Sequence, residues 1–419
     1  MDRQQQKRQL GLLPLWLLAI LAVLQAACGQ TQGSLEQHLL LGASAGRLAE
    51  AALLADQLRS HGWQIEIRQY PDQTAMRQDW LNGRLHMATV QLESFRFDPA
   101  DTLYPLFDSK HWLAVQMGDP ERLLFHKAVT ESDPILRRTA YQELQDILLE
   151  SQPWLFGYTR PSVSIVRPGV ADWFAAFDGN DNLQDVRVEQ GWNHLTIGLP
   201  VHRLGQFDHL AALLEDRWTK NISRQIFTSL VNRTRDGKIV PDLAKDWRIS
   251  QEGRQIDFFI REDVYFHDGR RLSADDVVFT FEELLRSDHA GYLQPPGVEV
   301  SVEKLGRFEI RFRLSHPVPI FLQSLADIGI IPKESDQRPG AIKSGQRLNG
   351  TGPFRLLRRW PDRVLLKRFD LYYGGSPDQQ PVGKAQIDYL QFRLLPQASL
   401  RQLAWMHQEV DILHGISTG

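Results

Sequence analysis

The 419-residue chain has a single cysteine, Cys28, so no disulfide can close within it. It has no run of five or six like charges, and its formal net charge is -3. No broad basic field therefore draws it to nucleic acid. A Walker loop, an HExxH pair and paired cysteines are all lacking, which removes the common signs of nucleotide, zinc and redox chemistry. What remains is ordinary globular composition, 42% hydrophobic and 24% charged, enough for a sizeable core and two or three domains. The 11 tryptophans suit a large core and a ligand cleft equally well.

The first thirty residues read as an address. Arg3, Lys7 and Arg8 give a positive start, and Leu10 to Leu24 run almost without polarity. Small residues Ala26 and Ala27 precede Cys28, an order typical of a secretory signal. The apolar run is shorter than the roughly 20 residues that span a bilayer, so a permanent anchor is the competing reading. Residues 29–36, which include Gly29, Gln30 and Gly33, form a polar tether.

Two blocks follow. In residues 37–190, a strand-like run from Gln37 precedes an amphipathic helix with Leu48, Ala51, Ala52, Ala55 and Leu58 on one face. Gly62 is placed to stop it. Trp63 to Tyr70 alternates as a strand, Asp72 to Asn82 reads as a helix, and Leu85 to Val90 as a strand. Strand, helix, strand, helix, strand predicts an α/β lobe with a mostly parallel sheet. Asp133 caps a helix over 134–150 whose buried stripe is Leu136, Ala140, Leu144, Ile147 and Leu148. Residues 195–419 form the second block, with a join near Glu189, Gln190 and Gly191. Its predicted strands are 195–199, 255–261, 308–314 and 364–368. Its predicted helices are 210–218 and 273–285, the latter capped by Ser273.

Candidate chemistry is sparse. His267-Asp268-Gly269 could be an acid–base pair or a metal site, but Asp-Gly after an aromatic strand reads more simply as a turn. Asp98-Pro99 with Asp101 could pair carboxylates, and again reads as a turn. No nucleophile or metal set emerges, so a secreted hydrolase finds no support, and no cofactor is called for.

Several stretches in order carry a resemblance. They are Arg224–Leu230; Asp236–Trp247, close to the pattern dGkivPaLAesW; Phe266–Gly269 with Leu272–Phe279; Asn349–Phe354; Asp370–Gly375; and Glu409–Ile412. They resemble extracellular solute-binding proteins of family 5, the binding components of peptide and nickel ABC importers. The first block resembles the same family's final part, through Gln64–Arg68, Asp98-Pro99, Leu103–Ser109, Asp133–Glu150, Pro153–Leu155 and Val166–Val170. The family's C-terminal part thus precedes its N-terminal part here, and the stretch that normally lies between them is not visible. A circular permutant, a fused or decayed remnant, and a fragment of a longer chain all fit this order.

The resemblance implies a two-lobed α/β clamp of the type II periplasmic-binding class, permuted and incomplete. It implies capture of a peptide or peptide-like solute with no bond broken, and permease and ATPase subunits as partners. Residues 24–28 also resemble a lipobox, with Gln25 departing from its pattern. This implies Cys28 as a lipidated membrane anchor in the periplasm or at the cell surface. The family's ammonium-binding Asp falls on Phe95 here, with Glu93 as a substitute in an uncertain register, and Arg96 would favour an anionic group. The ligand-binding candidates are therefore Phe95, Arg96, Asp98, Gly350, Thr351, Gly352, Tyr372 and Trp405. A non-transporting interaction or sensing module built from the same lobes is the alternative.

Overall fold

The computed structural model describes residues 38–44, 47–71, 73–90, 98–100, 103, 107, 118–131, 133–151, 163–174, 181, 183–189, 191–205, 207, 217–234, 237–287, 289–295, 297–333, 348–375 and 385–416. The chain is mixed α/β and forms two compact units. One comprises Met1–Phe125 with Arg138–Tyr158; the other comprises His126–Arg137 with Thr159–Gly419.

The first unit is built on three parallel strands. Strand β1 (His38–Ser44) lies between β2 (Gln64–Tyr70) and β3 (Met87–Thr89). Helix α1 (Leu48–Ser60) returns the chain from β1 to β2, and α2 (Gln73–Leu81) returns it from β2 to β3. Ala51, Ala55 and Leu58 of α1 pack on Leu39, Leu41, Ala43 and Ile65. Each large apolar side chain so buried contributes about 1.5–3 kcal/mol. Ala52, expected on that face, is exposed, and Leu54 takes part in the packing instead. Gly62 ends α1 as expected: its φ is +89°, and Gly62 and Trp63 donate to the carbonyls of Arg59 and Leu58. Helices α3 (Asp119–Thr130) and α4 (Pro134–Ser151) follow. Asp133 caps α4 by accepting from the backbone N–H of Ile135 and Leu136 at 2.8 and 3.0 Å. Ala140, Leu144 and Leu148 are buried, whereas Leu136 is 53% exposed and falls outside the stripe.

The second unit holds a six-stranded mixed sheet and a four-stranded antiparallel sheet. In the first, the order is β14 (Phe354–Arg359), β15 (Arg363–Arg368), β16 (Tyr389–Leu394), β7 (His194–Leu199), β17 (Ile412–Ile416), β4 (Val163–Val166). A small pair, β5 (Val170–Ala171) and β6 (Arg187–Val188), stands between β4 and β7 in sequence. Val163–Val166 pairs antiparallel with β17, so residues 159–190 belong with the second unit. The sequence blocks meet near Gly191, whereas the units divide at Tyr158/Thr159, because strand pairing ties the segment to residues 412–416.

Helix α5 (Arg217–Ile226) precedes the hairpin β8 (Val231–Arg233) and β9 (Ile239–Pro241). The antiparallel sheet runs β10 (Ala244–Ser250), β11 (Gln255–Ile260), β13 (Glu309–Leu314), β12 (Val300–Gly306). Helix α6 (Ala274–Arg286) packs on it, and Phe312 meets Phe258, Phe281 and Phe321 edge to face. The Ser273 N–H donates to Asp276 at 2.9 Å, closing the start of α6. Short α7 (Phe321–Leu325) and α8 (Ala398–Met406) complete the unit. The predicted 210–218 helix lies mostly outside the described residues; the described helix covers 217–226.

Candidate functional site

The Gly350–Pro353 loop is fixed by the chain itself. A Cβ on Gly350 would stand 2.0 Å from the Ile226 carbonyl oxygen, and one on Gly352 would stand 2.5 Å from that of Gln225. Backbone therefore lies against backbone at the end of α5, which is why both positions are glycine. Gly352 N–H donates to the Ile226 carbonyl at 2.9 Å. Thr351 is fully buried and shares a hydrogen bond with Thr228.

Two of the recognised sequence stretches interlock here. The His267 N–H donates to the Gly350 carbonyl at 2.9 Å, and His267 Nε2–H donates to that of Gly352 at 3.0 Å. The Asn349 side-chain amide and Asp268 bond each other. His267-Asp268-Gly269 is a turn, with Gly269 at φ +88° and its N–H on the Phe266 carbonyl. Burial pushes the His267 imidazole down to about 4, against its bond to Gly352. The ring is thus neutral at pH 7 and packs edge-on to Phe369.

The same region holds an acid that sequence reading passed over. Asp242 is buried, and the Tyr373 hydroxyl donates to it. Burial pushes its carboxyl up to about 7, against the Tyr373 bond and the nearby Arg224 and Arg261 charges. Arg261 lies over the Tyr373 ring at 5.0 Å. Tyr372, the predicted ligand contact, is buried beside Tyr373 and donates to Gln184 at 3.0 Å. Burial raises both tyrosine hydroxyls well above their usual range. The signal was present: Asp242 stands where the pattern PaLAesW has a small apolar residue.

The remaining candidates lie apart from this junction. Trp405 packs on the small cluster of Leu395, Ala404, Val410 and Leu413, with Arg167 over its ring at 4.5 Å. Asp98, in the first unit, is buried and accepts from the Ala100 N–H at 2.9 Å and the Tyr141 hydroxyl at 3.1 Å. Pro99 and Ala100 are helical, so where the sequence predicts a turn Asp98 stands at the start of a helix and satisfies the Ala100 N–H there. Phe95, Arg96 and Cys28 lie outside the described residues. Gly350, Thr351, Gly352 and Tyr372 thus gather in one unit, each with a packing role of its own.

Helix α5 is polar yet buried, and it faces two ionic clusters. Asp327, fully buried, pairs with Arg233 at 2.6 Å, Arg224 at 3.2 Å and Lys220 at 3.3 Å. The Tyr292 hydroxyl adds a bond at 2.7 Å. Burial opposes the charge, but Arg233, Lys220 and Arg224 overcome it and hold the Asp327 carboxyl far below the usual range. On another side, Asn221 bonds Asp181, which also accepts from His414.

One motif runs against the expectation of no nucleophile. Gly42-Ala43-Ser44-Ala45-Gly46 has G-x-S-x-G spacing between a strand and a helix. Ser44 is buried, and among the described residues no side chain bonds it. The spacing alone is no evidence of a hydrolase, because a nucleophilic serine needs a base beside it.

Comparison with known proteins bears on the second unit. Residues 238–419 match the profile described as bacterial extracellular solute-binding proteins, family 5 middle. The dipeptide-binding protein of Escherichia coli is 29% identical over 201 residues, 42% of this chain and 36% of that protein. The nickel-binding periplasmic protein of Escherichia coli is 28% identical over 45% of this chain and 36% of its own length. Among solved structures, Campylobacter jejuni NikZ in complex with Ni(L-His) aligns with TM-score 0.45 and 25% identity, covering 52% of this chain and 42% of that one. The chain spans about a third of the length of the curated relatives it matches.

Proposed function

We propose, from the match of residues 238–419 to the profile of bacterial extracellular solute-binding proteins of family 5, that this chain captures a peptide or peptide-like solute outside the cytoplasmic membrane for an ABC importer. The observation that carries the reading is the profile match itself. It falls on a folded unit whose recognised stretches interlock through His267, Asn349, Gly350 and Gly352. Binding would favour a closed clamp through contacts made only in that state, and permease and ATPase subunits would read the closed form. Cys28 would carry the lipid anchor.

Thermal unfolding with di- and tripeptides tests the capture step. A ligand at 100 times its Kd adds about 2.7 kcal/mol of stability, a clear rise in Tm. A broad peptide panel that leaves Tm unchanged would favour a non-transporting module built on the same fold. Metabolic labelling with a radioactive fatty acid, lost on Cys28→Ser, tests the anchor separately.

A further inference from the structure

One face of the six-stranded sheet in the second unit carries a row of cations with no answering acid. The hairpin of β14 and β15, residues 354–368, holds six basic residues and one acid, Asp362. Its inner face, Phe354, Val364 and Leu366, belongs to the same buried cluster as Leu390 and Phe392 of β16. Alternation sends Arg355, Arg363 and Lys367 to the other face, and Arg358 joins them opposite Leu365. Arg355 and Arg358 are exposed, and Arg363 and Lys367 are half-buried. Arg359 turns to the Leu204 and Gly205 carbonyls, and Arg368 pairs with Asp388 at 2.7 Å. Among the described residues, no carboxylate pairs with Arg355, Arg358, Arg363 or Lys367.

The register makes this arrangement costly. Arg355 stands directly opposite Lys367, and Arg363 directly opposite Arg393. Like charges in such cross-strand pairs destabilise a sheet. Glu409 relieves Arg393 at 2.5 Å; the other three cations of these pairs have no such partner among the described residues. An anion supplied from outside offsets their repulsion.

At the end of the hairpin the cations meet apolar groups. The Arg358 and Arg363 guanidinium carbons each stand 4.8 Å from the centre of the Trp360 ring. The Trp360 backbone N–H donates to the Arg363 carbonyl at 2.8 Å and closes the turn. The pairing of β14 with β15 slips between Leu356 and Arg358, and the bulged residue, Leu357, is 50% exposed. Arginine grips phosphate in a bidentate fork, and tryptophan favours the headgroup level of a membrane. An acidic protein surface would answer the charges but not the exposed Leu357.

We infer that the outer face of the β14–β15 hairpin is a docking surface for a lipid bilayer with anionic headgroups. Arg355, Arg358, Arg363 and Lys367 meet the phosphates, and Leu357 and Trp360 enter the interface. The inference does not depend on which solute the chain captures.

A fluorophore sensitive to polarity, placed on Leu357→Cys in the full chain carrying Cys28→Ser, tests it. Vesicles of phosphatidylcholine and phosphatidylglycerol in equal parts should shift its emission to the blue, and phosphatidylcholine alone should not. Salt at about 1 M, where the screening length is about 3 Å, should abolish the shift. Each cation near an anionic surface adds about fivefold in affinity, so Arg355→Gln with Lys367→Gln should weaken docking by about 25-fold. That double variant removes a like-charge pair, so its Tm should not fall. Arg358→Gln, at an exposed position, carries the test should the double variant fail to fold, with a loss of about fivefold expected. An equal shift on both kinds of vesicle, or unchanged docking in these variants, overturns the surface. An equal shift with poly-L-glutamate also overturns it and marks an acidic protein as the partner. Self-association of the double variant with docking unchanged would show instead that the cations guard the open edge of β14.

Discussion

The Tyr373 hydroxyl donates to the buried carboxyl of Asp242, and Arg261 covers the same Tyr373 ring at 5.0 Å. This contact joins the end of β9 to the loop after β15, beside the glycine pair of the 350–353 loop. It also makes the unit sensitive to pH.

Burial raises the Asp242 carboxyl to about 7, above its value in an unfolded chain. The native state therefore binds the extra proton between about pH 4 and pH 7. The stability that proton provides is fully present below about pH 4 and is lost as pH rises through about 7, an effect on the order of a few kcal/mol. Asp242→Asn mimics the neutral form and should flatten that loss. Urea unfolding of parent and variant at pH 5 and pH 8 checks it. If the difference between the two proteins is the same at both pH values, Asp242 does not titrate as described.

His267 should give the opposite slope. Burial holds its imidazole at about 4, below its unfolded value near 6.5, so the unfolded chain binds more protons in that window. Stability from this group is present above about 6.5 and is lost as pH falls through about 4. His267→Gln keeps a donor for the Gly352 carbonyl and cannot become cationic. It should cost about 1 kcal/mol at pH 7 and narrow the gap to the parent at pH 4.5. Denaturation midpoints at the two pH values decide the matter, and a constant gap would count against it.

Much of the first sequence block, residues 37–190, was legible because its residues obey local rules. Ala51, Ala55 and Leu58 repeat at helical spacing, Gly62 can adopt φ +89°, and Asp133 can cap. The strands at 195–199, 255–261 and 364–368 were likewise legible from alternation and are found within a residue of those bounds. Helix α5 was not. Thr219, Lys220, Asn221, Ser223 and Gln225 are buried, and polarity normally places such residues in water. Their partners, such as Asp181, Asp327 and Gly205, are distant in sequence. Periodicity carries no information about pairs formed across 40 or 107 residues. The candidate site shows the same split. Gly350 and Gly352 were readable as places of close backbone approach, while Asp181 and His414 were invisible until the sheet brought their segments together.

The glycine pair predicts a steep penalty for the smallest side chain. Gly350→Ala places a methyl group 2.0 Å from the Ile226 carbonyl oxygen, backbone that cannot swing aside. Overpacking of this kind costs about 1–3 kcal/mol or more. Gly62→Ala meets nothing within 4 Å and suffers only its positive φ, so it should cost about 1 kcal/mol. Urea titration of the two variants should therefore separate them, with Gly350→Ala the weaker protein. The reverse order would show that the loop yields.

Arg233, Arg224 and Lys220 converge on Asp327, whose own side chain is fully buried. Two of those cations, Arg233 and Lys220, are themselves almost fully buried. Asp327→Asn keeps the shape and the Tyr292 contact but removes the charge that offsets them. Breaking a buried ion pair from one side costs about 3–5 kcal/mol, because the remaining charge stays out of water. Replacing Arg224, which is partly exposed, by Met should cost less, about 1 kcal/mol, since its charge can reach solvent. A double-mutant cycle on Asp327 and Arg233, read by urea midpoints, isolates the pair. Coupling near zero would mean that the bidentate Arg233 contact adds no stability.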